Sequence, residues 1–200
     1  MRVKKFYRDG EFFGYAVDGT PADCVKLALN NLLDSKPDLV VSGINHGKNT
    51  AINVLYSGTV GGAIEGMLFG IKSIAVSVDS HSYDFSCQVS AKYTAEVASI
   101  ALRNDMPSDT FLNVNIPALS NENIKGLKVT KLSQSKWHDI YEKREDPFKR
   151  EYYWFAGEYT FPEDDPETDD AALEEGWVTI TPVKLEFTNL DFFQKLKENI

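Results

Sequence analysis

The stretch VVSGINHG at residues 40–47, followed by YSGTVGGAIEG at 56–66, decides the fold. The first is an apolar, β-branched run that ends in Asn45, bracketed by Gly43 and Gly47, and the second sets Ser57, Gly58 and Thr59 ahead of a helix-like segment. A strand that gives way to glycines and then to a helix start belongs at the carboxyl edge of a parallel sheet, where open α/β folds bind their ligands. First-turn N–H groups of a helix lack internal partners and the dipole favours negative charge, so this edge suits a phosphate.

Upstream, residues 2–7 and 12–17 read as extended, joined across 8–11, where Asp9-Gly10 supplies the positive φ angles of a tight hairpin turn. Thr20, Pro21 and Asp23 predict a helix N-terminus, and Val25, Leu27, Ala28, Leu29, Leu32 and Leu33 supply its apolar face. Pro37 stops that helix. Residues 39–42 then form a run without alternation, which suits a strand covered on both faces. Over 60–69 a second helix is predicted, with Gly61, Gly62 and Ala63 allowing close packing on a sheet and Gly70 as its stop.

Downstream, 73–78, 111–116 and 126–132 read as strands and 86–103 as a long amphipathic helix. This alternation predicts right-handed βαβ units and a Rossmann-like, three-layer α/β fold with a mostly parallel sheet. The character changes over 134–160, where a polar segment precedes Tyr152, Tyr153, Trp154 and Phe155. That pattern suggests a projecting hairpin whose apolar face meets either a partner chain or the parent domain. Residues 177–183 alternate as a strand and 190–198 read as a terminal helix. The expected organisation is a core at 1–132, then a hairpin, acidic loop, returning strand and helix at 133–200.

Composition narrows the function. The chain has 200 residues, 42% hydrophobic, enough for one sizeable core. Its formal net charge of −9 argues against nonspecific nucleic-acid binding. Nine acids and no Lys or Arg lie in 158–175, a run that reads as a solvated loop before it reads as a cation-binding strip. Cys24 and Cys87 form neither a disulfide framework nor a zinc knuckle, which fits a reducing compartment. No signal-peptide pattern opens the chain and no segment reaches the roughly 18 apolar residues of a membrane span, so a cytoplasmic protein with no membrane partner is expected.

Each motif has a plain structural reading beside the functional one. The Asn45 carboxamide can ligate Mg²⁺ or Mn²⁺, usually beside carboxylates, or can cap a turn. Ser57, Gly58 and Thr59 can hold a phosphate or serve as an ordinary helix cap. The phosphate reading gains from Lys48, Asn49 and Asn53, whose loop converges on the same strand end. Neither a Walker loop nor a GxGxxG element is present, which disfavours a nucleoside triphosphatase or a dinucleotide dehydrogenase.

Taken together, DGTPADC at 18–24, PDLVVSGINHGKN at 37–49, YSGTVGGAIEG at 56–66, FLNVNIP at 111–117 and EEGWVTITPV at 174–183 closely resemble the SurE family of 5′/3′-nucleotidases. The resemblance implies a divalent-metal-dependent phosphomonoesterase acting on nucleoside 5′- and 3′-monophosphates with Mg²⁺ or Mn²⁺. It also implies a homodimer or homotetramer built through the hairpin and the C-terminal element. By resemblance Asn45 is a metal ligand, Ser57, Gly58 and Thr59 contact phosphate, and Asn49 belongs to the adjoining loop. Lys48 stands where the family commonly has Pro and is expected to add positive charge at the pocket mouth.

One departure is expected to matter. The family opens with a strand ending in Asn-Asp-Asp-Gly, whose aspartates grip the metal, and this chain has no such segment upstream of its hairpin. Neither Asp9 nor Asp18 replaces the pair. The expectations are a shortened N-terminus, an incomplete sheet and weak metal binding. A catalytically inactive nucleotide- or phosphate-binding subunit is the alternative, and the general acid and base are unassigned.

Overall fold

The computed structural model describes residues 1–80, 82, 87–160 and 165–200. The opening hairpin pairs β1 (Val3–Arg8) with β2 (Glu11–Val17) through Asp9 and Gly10, both at positive φ. Helix α1 (Pro21–Leu27) starts on a reciprocal cap. Thr20 Oγ1 accepts the Asp23 N–H at 3.2 Å, and the Thr20 N–H donates to Asp23 Oδ2 at 2.9 Å. The helical path continues as a π-type turn over Ala28–Leu32, and none of its apolar residues is fully buried.

The central sheet holds β3 (Leu39–His46), β4 (Lys72–Asp79), β5 (Thr110–Pro117), β9 (Val178–Lys184) and β6 (Leu127–Val129), side by side in that order. β3, β4 and β5 run parallel, β9 returns antiparallel to β5, and β6 is parallel to β9. Helix α2 (Gly58–Leu68) covers one face and α3 (Cys87–Arg103) the other, a three-layer α/β fold. The first residue of the helix expected at 86–103, Ser86, lies outside the described residues.

Face parity explains the core. Ile74 and Val76 of β4, Val114 and Ile116 of β5, and Val178 and Ile180 of β9 pack with Tyr93, Val97 and Ala101 of α3. Ala75, Phe111 and Val183 face the other way and pack with Val60, Ala63 and Met67 of α2. β4 is buried along nearly its whole length because both of its faces are covered. β3 does not meet that expectation. It lies at the edge among the described strands, and Val41 is 44% exposed.

Close approach of α2 is set by Gly62 and Gly66. A Cβ on Gly66 would sit 2.5 Å from Ser73 Oγ and 2.7 Å from Val40 Cγ2, and one on Gly62 2.5 Å from Ser42 Oγ. Gly61, expected to share this role, faces open space, so the close contacts fall on Gly62 and Gly66 alone. Gly70 at φ +68° ends the helix as expected.

Beyond β6, strands β7 (Lys136–Glu145) and β8 (Glu151–Thr160) form a separate two-stranded sheet. This is the projecting hairpin expected at 134–160, and Tyr153, Trp154 and Phe155 on it are exposed. The chain then re-enters the body through α4 (Asp169–Glu174) and β9 and ends in the exposed amphipathic α5 (Leu190–Glu198). Among the described residues no helix is long and apolar enough to cross a membrane.

Gly66→Ala is expected to lose about 1–3 kcal/mol of stability by prising α2 from the sheet. Gly61→Ala is expected to gain up to about 1 kcal/mol from helix propensity. Urea denaturation of the two variants beside the parent measures both.

Candidate active site

The site is built around a loop that has no ladder of its own. β3 is interrupted after Ser42, where its register with β4 shifts. Gly43 at φ +134° makes this possible, since a Cβ there would collide with the Val76 carbonyl. Past the shift, Asn45 is half-buried and its Nδ2 donates to the Gly47 carbonyl at 2.9 Å. Its carboxamide oxygen is therefore the end left for a ligand. His46 ends the strand on the surface.

The following loop is captured by side chains from the sheet and from α4. The Asn49 N–H donates to Asn115 Oδ1 at 2.7 Å, its carbonyl accepts from Asn113 Nδ2 at 2.7 Å, and its own Nδ2 donates to Ser77 Oγ at 2.7 Å. Ser77, Asn113 and Asn115 share the α2 face of the sheet with Ala75 and Phe111 but lie nearer the carboxyl ends. Alternation along β5 therefore sends apolar residues to α3 and carboxamides to the loop.

Asp169 and Asp170 hold the far side. Asp169 accepts backbone N–H groups from Ala51 at 3.1 Å, Ser133 at 2.9 Å and Asp170 at 3.0 Å. Asp170 accepts from Thr50 Oγ1 at 2.6 Å, Tyr159 Oη at 2.6 Å and Lys48 Nζ at 3.0 Å. Both are fully buried, which corrects the reading of 158–175 as solvated throughout. Glu163 and Asp164 of that run lie outside the described residues. The bonding also corrects the expectation for Lys48, whose ammonium is balanced by Asp170 and lies 4.9 Å from the Tyr159 ring centroid.

The two carboxyls titrate in opposite directions. Burial pushes Asp169 up to about 6 against the pull of its backbone donors. Burial also raises Asp170, but the Thr50 and Tyr159 hydroxyls and Lys48 outweigh it and hold this carboxyl below its ordinary value. Burial, then the bond to Asp170, raises the Tyr159 phenol well above its ordinary value, so it stays protonated as the donor.

A cavity of about 510 Å³ opens beside this network, with Lys48, Asn49, Asn53 and Ser57 on its polar side. Tyr56, Trp137 and Tyr159 form an aromatic side, with Glu174 also in the lining. Ser57 caps α2, its Oγ accepting the Val60 N–H at 3.2 Å, so its own hydroxyl hydrogen is available to an acceptor. The structure thus brings Asn49 and Ser57 onto one wall. Asn45, Gly58 and Thr59 fall outside that lining, and the Thr59 side chain is buried.

A divalent cation finds few donors here. Among the described residues no three His, Cys, Asp or Glu side chains converge, and the two buried aspartates are engaged by backbone amides, hydroxyls and Lys48. Asn45 offers one neutral oxygen, which by itself does not hold a hard dication.

An open, mostly parallel sheet with a cavity at its strand ends places the protein in the Rossmann-like α/β class. A family model described as "Survival protein SurE" matches residues 1–139, and the chain belongs to that family. It is 43% identical over 199 residues to "5'-nucleotidase SurE" of Chlorobium phaeobacteroides, covering 99% of this chain and 76% of that protein. To "5'-nucleotidase SurE" of Pelotomaculum thermopropionicum it is 49% identical over 201 residues, covering 99% and 75%. The crystal structure of the SurE protein from Aquifex aeolicus superposes with a TM-score of 0.83 at 39% identity, covering 99% of this chain and 79% of that one.

Asp170→Ala removes the shared partner of Lys48, Thr50 and Tyr159 and is expected to destabilise the fold by about 3–5 kcal/mol, read by chemical denaturation. Asp169 binds its proton more tightly folded than unfolded, so its contribution is largest at low pH and falls as pH rises from about 4 to about 6. At 1.36 kcal/mol per pK unit that amounts to roughly 3 kcal/mol. Asp169→Asn, which turns an amide nitrogen toward a backbone N–H, is expected to lower stability at every pH while flattening that slope. Denaturation midpoints between pH 4 and 7 check both.

Proposed function

We propose that this phosphatase-family chain hydrolyses nucleoside 5′-monophosphates, and 3′-monophosphates, to nucleoside and phosphate, with Mg²⁺ or Mn²⁺ as cofactor. The observation that carries the reading is the joining of the Ser57-capped helix start and the captured Asn49 loop on one cavity wall. The N–H groups of Gly58 and Thr59 open the first turn of α2 without intrahelical acceptors and are aimed along the helix dipole. With the Thr59 side chain buried, these backbone amides and the Ser57 hydroxyl are the donors this turn offers to phosphate oxygens. They oppose the charge that builds on those oxygens as water attacks phosphorus and the ester P–O bond breaks. The names of the relatives and the family membership support the 5′-nucleotidase part of this reading.

The metal requirement and the assembly belong to the same proposal. Asn45 would supply one neutral oxygen to the cation, a weak hold by itself. Exposed Tyr153 and Phe155 on β8 and Phe192 and Phe193 on α5 support a homodimer or homotetramer through these elements. A second reading, a subunit that binds nucleotide or phosphate without turnover, is favoured by the lack of convergent carboxylates among the described residues.

Phosphate release from 5′-AMP and 3′-AMP is expected to be slow, to need a high Mn²⁺ concentration because the cation is weakly held, and to stop with EDTA. Ser57→Ala, which removes one donor to the developing charge, is expected to lower kcat about 100-fold. Asn45→Ala is expected to raise the Mn²⁺ concentration needed for half-maximal rate. AMP binding in EDTA, measured by calorimetry without turnover under any metal, would overturn the enzymatic reading in favour of the second.

A further inference from the structure

Two cavities meet at one wall. The cavity described above carries the polar groups, and a second of about 430 Å³ lies against it, lined by Ile52 and Phe155 with Lys136 and Asp139. Asn53, Tyr56 and Trp137 line both. Trp137 projects from the base of the β7–β8 hairpin, where its ring centroid lies 5.4 Å from that of Tyr159. Tyr56 immediately precedes Ser57. Trp137 is 49% exposed and Tyr56 81% exposed, so both present ring surface to the cavities.

Resting on the nucleotidase reading, we propose that this wall is the nucleobase seat, with the base stacked on Trp137, Tyr56 alongside and Asn53 beneath the sugar. A nucleoside monophosphate is far longer than a phosphate, so the groups at Ser57 and Asn49 engage only one end of it. The other end needs an apolar, ring-shaped contact with few charges. The indole offers a rigid π face for this, and aromatic stacking tolerates any base because every base has such a face. The tie from Tyr159 to Asp170 fixes the root of the hairpin to the phosphate loop, so the seat keeps its distance from Ser57.

The test is binding of AMP, adenosine and inorganic phosphate, each by calorimetry, to the parent chain, Trp137→Ala and Trp137→Phe. The expected result is a loss on the order of tenfold in affinity for AMP and adenosine in Trp137→Ala, largely restored by Phe, with phosphate affinity unchanged. Unchanged AMP affinity in Trp137→Ala overturns the proposal. So does an equal fall for phosphate and AMP in both variants, which would make Trp137 a structural residue. Adenosine binding to the parent chain without phosphate binding would leave the seat standing and remove the nucleotidase reading instead.

Discussion

Everything at this site depends on the capture of one irregular loop by buried side chains. Residues 48–50 lie in no strand or helix, yet Asn49 and Thr50 are buried, as is Ala51, where a 3-10 turn begins. A buried N–H or carbonyl without a partner costs about 1–3 kcal/mol, so the loop can lie inside only if other elements supply those partners. Asn113 and Asn115 supply them from β5 and Asp169 from α4. Ala51 is even held at φ +52°, a conformation that a residue with a Cβ seldom adopts, and its N–H goes to Asp169.

That capture costs something in the core and fixes what the site can be. Asparagines and threonines occupy the carboxyl half of the sheet face that would otherwise be aliphatic, and Asn113 Oδ1 and Thr179 Oγ1 are left without a partner among the described residues. In return, Lys48, Asn49 and Asn53 are delivered to the wall that Ser57 completes. Asp170 adds a second link, since it joins the loop through Thr50 and Lys48 to the hairpin through Tyr159. The hairpin base that carries Trp137 is therefore mechanically part of the pocket.

Much of the scaffold was legible in the sequence because its determinants are local. The Thr20–Asp23 cap, the Asp9-Gly10 turn, the Ser57 cap and the Gly70 stop each involve residues no more than four apart, and each stands where it was expected. The alternation of 177–183 was also readable, as was the hairpin with its aromatic strand. Less readable was which α2 glycine touches the sheet, because Gly61 and Gly66 differ only in which side of the helix meets Ser73 and Val40.

The sequence by itself determined the α/β order of elements, the helix ends and the cap at Ser57, since these follow from short-range hydrogen bonds and periodic burial. Only the tertiary structure decided the fate of the acidic run. Asp169 and Asp170 look like their exposed neighbours in composition, and they become buried anchors because residues 118 to 122 positions away come to meet them. Whether a carboxylate is solvated or interred depends on donors brought from elsewhere in the chain, and pattern along the sequence holds no record of that meeting.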